Sequence, residues 1–377
     1  MAPTVNILIP EKNLARNPIV ASFYGGNNLS NIFRLYEGAA LNQLIYEGVI
    51  YNINDYVRVD LSPFFDNLRK KAGVEKFRIC LVRTDGIEYG DKYFEVYGGG
   101  ISKLLMRKLA VAQLDIFNWK LKNPFSNFFL TTRSNSYLIF IPENELVPLY
   151  YYGKGMAFNL KVEGQTVASF NHSNDLIESL KSIDFNALRT EIMTNNHKLV
   201  SVFDIMTPIG GYVGSIIITQ ANNASDYFLK FLNSWGVYEM ISLYGMIEYN
   251  PTFSEATTVL GYDEVILDTV KKQNRKELTS EYKAEIGYKT ADERLFLIDA
   301  LLSDECFLVA NGMEYPVSVS TETTLFQDTG NEPKSISLTL KLIDSDENYS
   351  PLDDKAFEVI ASTDSKPITI TDFKILA

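Results

Sequence analysis

Two histidines, His172 and His197, and two cysteines, Cys80 and Cys306, are the only imidazoles and thiols in the chain. A zinc site needs three or four ligands at recognisable spacings, and these four residues stand far apart in sequence. The histidines therefore read as loop residues facing solvent. Each cysteine lies in an apolar run, Arg78-Ile79-Cys80-Leu81-Val82 and Cys306-Phe307-Leu308-Val309, and reads as a small core residue rather than half of a disulfide. No Gly-x-Ser-x-Gly elbow is present to raise a serine nucleophile. The glycine runs 98–100 and 210–214 invite a phosphate loop, but neither is followed by Lys-Ser/Thr or by a ribose-binding acid. They read as turns or strand junctions that need positive φ. The acids Asp344, Asp346, Glu347, Asp353 and Asp354 resemble calcium or glycosidase carboxylates only superficially. The first three lack the glycine and distal Glu of an EF-hand, and the group reads as a solvated acidic tail. Tyr150-Tyr151-Tyr152 could stack sugars or bases; a buried strand or a subunit interface is the simpler reading. No catalytic residue, metal ligand or cofactor site follows, and an enzyme is not expected.

The composition, 46% hydrophobic and 22% charged, belongs to a folded protein, and 377 residues suit two or three domains. Twenty-two tyrosines and 23 phenylalanines favour strands and contact surfaces. A net charge of −12 argues against reading nucleic acid. From Asp344 onward eight acids face three lysines, so −5 of the −12 sits in the last stretch. The start lacks a basic n-region and an apolar h-region, and no run reaches the roughly 18 apolar residues of a membrane span. Synthesis in a cytoplasm, without Sec export or membrane insertion, is the expectation.

These residues must be held by mainly β structure. In the first half, strand patterns recur from residue 5 to 97, interrupted by a short Pro-led helix after Ser62. A helix is expected over 102–117, where Leu104, Leu105, Leu109, Ala112 and Ile116 form a 3.6-residue stripe. Strands follow at 128–132, 137–141 and 146–152, a hairpin at 157–170, and helical turns at 175–180 and 186–192. Asn195-Asn196 offers a break, giving a first β-rich domain over 1–195.

The second domain, 196–344, is organised around residues 226–249. There, two aromatic runs flank the turn Asn233-Ser234-Trp235-Gly236, a strong hairpin signal. Tyr227, Leu229 and Phe231 share one face, while Phe228 and Leu232 make the other apolar as well. A hairpin apolar on both faces is buried on both, so Tyr227, Phe228, Leu229, Phe231, Trp235, Ile241 and Tyr244 are the expected packing and assembly residues. A helix near 291–303 opens on the capping box Thr290 to Glu293 and carries Leu295, Ile298, Leu301 and Leu302. A hairpin turning at Asn311-Gly312 and a one-sided strand through Ile336, Leu338, Leu340 and Leu342 complete it. Residues 345–377 read as an acidic arm or an added strand. The fold expected is two sandwich-like or barrel-like β domains, each with a short packed helix, and this arm.

Several segments bear a resemblance: Gly99-Gly100-Ile101-Ser102, Asn127-Phe128-Phe129-Leu130-Thr131-Thr132-Arg133 and Pro142-Glu143-Asn144-Glu145-Leu146-Val147-Pro148-Leu149. With Tyr227 to Gly236, the helix after Thr290, Leu301-Leu302-Ser303-Asp304-Glu305 and the Asn311-Gly312 hairpin, they resemble tail-tip, distal-tail and baseplate proteins of phages and prophages of Bacteroides-type bacteria. The resemblance spans most of residues 90–345 and carries no catalytic residue. It implies a virion structural protein, made in the bacterial host cytoplasm, that forms a homo-oligomeric ring and contacts other tail proteins. Rings close through head-to-tail contacts, so each subunit needs two complementary surfaces. The alternative is a carbohydrate-binding or cell-surface adhesion module, motivated by the tyrosines and acidic loops; a tail-associated hydrolase is the weakest of the three readings.

Overall fold

A computed structural model describes residues 6–24, 30–38, 40–51, 56–82, 86–123, 125, 127–133, 137–221, 226–250, 252–253, 258–263, 265, 268–273, 278–288, 291–321 and 335–343. The acidic stretch 345–377 and the capping residue Thr290 lie outside the described residues. The chain is mainly β and divides into two compact units. The first comprises Met1–Gln220 with Leu232–Glu239 and Leu302–Asp304; the second comprises Ala221–Phe231, Met240–Leu301 and Glu305–Ala377.

The first unit opens with β1 (Asn6–Leu8), β2 (Lys12–Leu14), β3 (Val20–Tyr24), β4 (Ser30–Glu37), β5 (Gln43–Tyr51), β6 (Tyr56–Asp60), β7 (Val74–Val82) and β8 (Glu88–Tyr97). A three-stranded sheet, β1-β3-β6, and a five-stranded sheet, β2-β8-β7-β4-β5, share one core. Alternation sends Phe33, Leu35, Phe77, Ile79 and Phe94 inward from the larger sheet. The 3-10 turn Ser62–Phe65, with Pro at its start, and the short helix α1 (Asp66–Arg69) add Phe65 and Leu68. The Phe65 ring meets Phe77 edge-on at 4.6 Å.

After the glycine run comes α2 (Lys103–Val111), capped by the Ser102 hydroxyl, which accepts from the Leu105 amide. It stops well short of the 117 expected, because Gln113 takes a left-handed φ of 54°. A π-helical turn, Phe117–Leu121, follows. Leu104 is exposed, so the buried stripe is narrower than its periodicity implied.

The rest of the unit holds β9 (Leu138–Pro142), β10 (Leu149–Tyr152), β11 (Ala157–Val162), β12 (Gln165–Asn171), β13 (Leu180–Ile183), α3 (Phe185–Asn196), β14 (Val202–Met206) and β15 (Tyr212–Thr219). Their main sheet runs β12-β11-β14-β15-β9, with β9 alone parallel to its neighbour and standing at the edge. Phe128, Phe129, Tyr151, Phe158, Phe185 and Phe203 fill the core beneath it. Residues 128–132 are buried coil rather than strand. The expected helical turn at 175–180 is absent: Leu176 and Ile177 face solvent and Glu178 is buried. At 186–192 the expectation holds. Asp184 caps α3 through the Asn186 and Ala187 amides, and His197 ends it in a left-handed conformation.

The second unit contains β16 (Tyr227–Leu232), β17 (Tyr238–Tyr249), β18 (Thr252–Phe253), β19 (Thr258–Asp263), β20 (Asp268–Gln273), β21 (Leu278–Thr279), β22 (Glu281–Tyr288), α4 (Ala291–Leu301), β23 (Cys306–Ala310), β24 (Met313–Ser320) and β25 (Ser335–Leu342). Six of these strands close a barrel in the order β16-β17-β22-β25-β24-β23. Closure comes from β16 pairing with β23, Tyr227 opposite Ala310 through Phe231 opposite Cys306. Closing the sheet removes its edges. Leu229, Phe231, Leu308, Leu338 and Leu340 are fully buried inside, each contributing about 1.5–3 kcal/mol. Phe296, Leu297 and Ala300 of α4 are buried in this core; of the expected stripe Leu295, Ile298, Leu301 and Leu302, Leu301 packs against the same core half-buried, Ile298 is half-buried, and the Leu295 side chain lies outside the described ones. The Phe296 ring lies 5.3 Å from that of Phe231. Leu302 is exposed.

Candidate functional site

The hairpin that organises the second half is built by β16, β17 and the turn between them. The Asn233 amide donates to the Val237 carbonyl at 2.9 Å, the Gly236 amide to the Asn233 carbonyl at 2.9 Å, and Gly236 adopts φ of 77°. Of the residues expected to pack, Leu229, Phe231 and Ile241 point into the barrel. Tyr227 packs against that core half-buried, and Phe228 and Tyr244 are half-buried as well. Trp235 is placed elsewhere, in a core of the first unit with Tyr97, Phe117, Leu130 and Tyr152.

The turn is clasped within the first unit by polar groups that neither spacing nor motif could reveal. Asn233 is fully buried and uses every side-chain position. Its Nδ2 donates to the Leu130 carbonyl at 2.9 Å and to Glu239 Oε1 at 2.6 Å. Its Oδ1 accepts from the Trp235 amide at 2.9 Å and the Val237 amide at 3.1 Å. Glu239 also accepts from Thr131 Oγ1 at 3.0 Å and the Thr132 amide at 3.3 Å, and pairs with Arg133 at 3.3 Å. Arg133 in turn holds Glu145 at 2.9 Å, and all three charged side chains are buried. The Lys120 ammonium sits 5.1 Å from the Trp235 ring centroid. A buried ionic group is tolerated only when every lone pair finds a donor, and Glu239 meets that demand.

The first glycine run belongs to this clasp. Gly99 adopts φ of 90°, and a Cβ there would lie 2.6 Å from Trp235 Cα. The Gly100 amide donates to the Ser234 carbonyl at 2.8 Å, and the Ala72 amide to Gly236 at 2.6 Å. Gly99 takes the positive φ expected of the run, and close backbone approach is what excludes a side chain there. In the second run, Gly210 has φ of 89° and its amide closes a turn on Thr207.

The remaining chemically suggestive residues are spent structurally. His172 does not simply face solvent. Its Nε2 shares a hydrogen bond of 3.0 Å with the Tyr151 hydroxyl, and its Nδ1 lies 3.3 Å from Asp175. That Tyr-His-Asp chain has the outline of a relay, but burial pushes the Tyr151 hydroxyl up to about 12, opposite to what a nucleophile requires. Tyr151 and Tyr152 are buried, so the tyrosine cluster has become core and offers no stacking platform from those two rings. Lys122, its charged form disfavoured by burial, is paired with Glu178, which also accepts from the Lys154 amide at 2.9 Å. Cys80 is buried beneath a lattice on the outer face of the larger N-terminal sheet. There Tyr36 donates to Glu88 at 2.6 Å, Arg78 to Glu88 at 2.6 Å and Arg34 to Glu47 at 2.6 Å. Burial raises the Cys80 thiol to about 11. Cys306 lines the barrel. Among the described residues no group of three His, Cys, Asp or Glu side chains converges to hold a metal, and no helix is long and apolar enough to cross a membrane.

Two open edges carry apolar side chains. Edge strand β9 exposes Leu138 and Phe140 beside Tyr137, and edge strand β5 exposes Leu44 and Val49. Edge strands are ordinarily blunted with charge or proline; here only Pro142 and Glu47 do so.

No protein-family model matches the chain, and no curated protein is similar to it. Among solved structures, fibronectin(III)-like modules of Clostridium thermocellum CbhA align over 59% of this chain and 97% of theirs, at 10% identity and a TM-score of 0.18. The YadV chaperone aligns over 58% of this chain and 100% of its own, at 10% identity and a TM-score of 0.19. Scores this low carry no argument about the chain.

Proposed function

We propose that this is a virion structural protein of a phage tail, tail tip or baseplate that assembles as a homo-oligomeric ring with other tail proteins as neighbours. The observation that carries the reading is the pair of apolar edges on the first unit, β5 and β9. They are two different surfaces, as a head-to-tail ring requires of each subunit. Exposed edges with apolar side chains are an aggregation hazard for a free monomer and an asset in an assembly that covers them. The fully satisfied polar clasp supports the same reading, because its carboxylates are committed to holding a turn.

Light scattering on the eluting protein, with electron microscopy of virions, tests the proposal. The expected result is a closed oligomer that Phe140→Lys on β9 converts to monomer with an unchanged melting temperature. A strictly monomeric wild-type chain, absent from purified virions, would overturn it.

A further inference from the structure

On the first unit, three lysines gather around one cleft. Lys12 on β2, Glu95 on β8 and Lys76 on β7 are register partners across three adjacent strands, so two ammonium groups flank one carboxylate on the same face. Residues opposite one another in a ladder hold their Cβ atoms about 5 Å apart. A cleft of about 540 Å³ opens there, lined also by Glu11, Tyr93 and Lys154. Glu95 is already engaged, by Lys76 at 3.7 Å and by the Tyr97 hydroxyl at 2.9 Å. Among the described residues, Lys12 and Lys154 have no carboxylate within ion-pair distance. Both are exposed. Lys12, Lys76 and Lys154 against Glu11 and Glu95 leave the cleft with a net charge of +1 (3 − 2) in a chain of net charge −12.

We propose that this cleft docks the acidic segment 344–377 of this chain. The argument is charge complementarity. That segment carries −5 of the −12, its acids grouped as Asp344, Asp346 and Glu347 and as Asp353 and Asp354. Its 34 residues could extend to roughly 110 Å, so length does not limit which lysines it reaches. Surface ion pairs are individually weak, but tethering supplies an effective concentration near the millimolar range, enough for such contacts to be populated. Glu11 and Glu95 limit how much negative charge the cleft accepts, which suits short acidic clusters better than a continuous polyanion. The proposal does not depend on the virion reading.

Zero-length carbodiimide cross-linking of the full chain, read by mass spectrometry, tests it. The expected products are amides joining Lys12, Lys76 or Lys154 to acids of 344–377, with yield falling at least about fivefold between 0.05 and 0.5 M salt. A second readout leaves the cross-linking amines aside. In a Lys12→Glu/Lys154→Glu variant, trypsin should cut at Lys355 and Lys374 about fivefold faster, whereas Lys12→Arg should leave the rate unchanged. Cross-links from the segment confined to other lysines, or cutting rates indifferent to charge reversal, would overturn the proposal. So would calorimetric binding of glucuronate that is lost in the Lys12→Glu variant when no cross-links to the segment form, which would reassign the cleft to a sugar acid.

Discussion

Replacing Asn233 with alanine tests the clasp at its centre. The substitution removes one acceptor and one donor group from a fully buried site. It leaves the Trp235 and Val237 amides and the Leu130 carbonyl without the partners they have at 2.9–3.1 Å. Each orphaned buried group costs about 1–3 kcal/mol. Allowing for backbone relaxation, about 3–6 kcal/mol should be lost, a large part of the 5–15 kcal/mol that holds a typical protein folded. Glu239 keeps Arg133, Thr131 and the Thr132 amide, so its charge stays compensated. Urea titration followed by tryptophan fluorescence is the assay, because Trp235 is buried in the clasp while Trp119 is partly exposed. Asn233→Asp sharpens it. That variant retains an acceptor for both amides but loses the donor and sets a second carboxylate against Glu239 Oε1. Like-charge contact raises the pKa of the introduced carboxyl, so its deficit should be largest at pH 7 and shrink as the pH falls and the group protonates. A loss below about 1 kcal/mol for Asn233→Ala, or wild-type stability at pH 7 for Asn233→Asp, would refute the reasoning.

Gly99→Ala should lower the melting temperature measured by circular dichroism, because its Cβ would meet Trp235 Cα at 2.6 Å and the backbone φ of 90° is strained for alanine; an unchanged melt would contradict the close approach. Glu88 is held below the ordinary carboxylate range, first by the Tyr36 hydroxyl and then by Arg78, against the opposing effect of burial. Its contribution is therefore present above about pH 4.5 and lost as the pH falls through the lower folded value. The stability difference between wild type and Glu88→Gln should accordingly narrow in acid, and a constant difference from pH 7 to pH 3 would count against it. Cys80, buried with its thiol raised to about 11, should resist a thiol reagent at pH 8 in the native protein and react on unfolding; fast native labelling would show that the charged lattice does not seal it.

What could be read from the sequence was mostly local. The turn at 233–236 is visible because Gly closes a short loop between strand-like runs, and Asn311-Gly312 because both residues favour positive φ, which they adopt at 50° and 78°. Alternation along 335–342 gave the buried face of β25 correctly. It could not give the partner: a period of two assigns faces, while closure of β16 onto β23 is a long-range pairing that leaves no periodic trace. The clasp was hidden for a related reason. Arg133, Glu145 and Glu239 have no motif spacing, and single charged residues ordinarily read as surface. At the end of α2 one residue in a left-handed conformation, Gln113, overrides a favourable stripe.

The order in which the chain is made gives the clasp a further meaning. Asn233 lies 103 residues after Leu130, to which it is hydrogen-bonded, so the pocket for Trp235 exists as sequence long before its occupant. At about 5–20 residues per second, that interval lasts roughly 5–20 s. During it, the first unit lacks a core aromatic ring, and Arg133 lacks one of its two carboxylates. Completion also awaits residues 302–304, which belong to the same unit. The growing chain must therefore remain unfinished at that position until its second half has begun to emerge, a window in which a chaperone or a neighbouring copy could meet it.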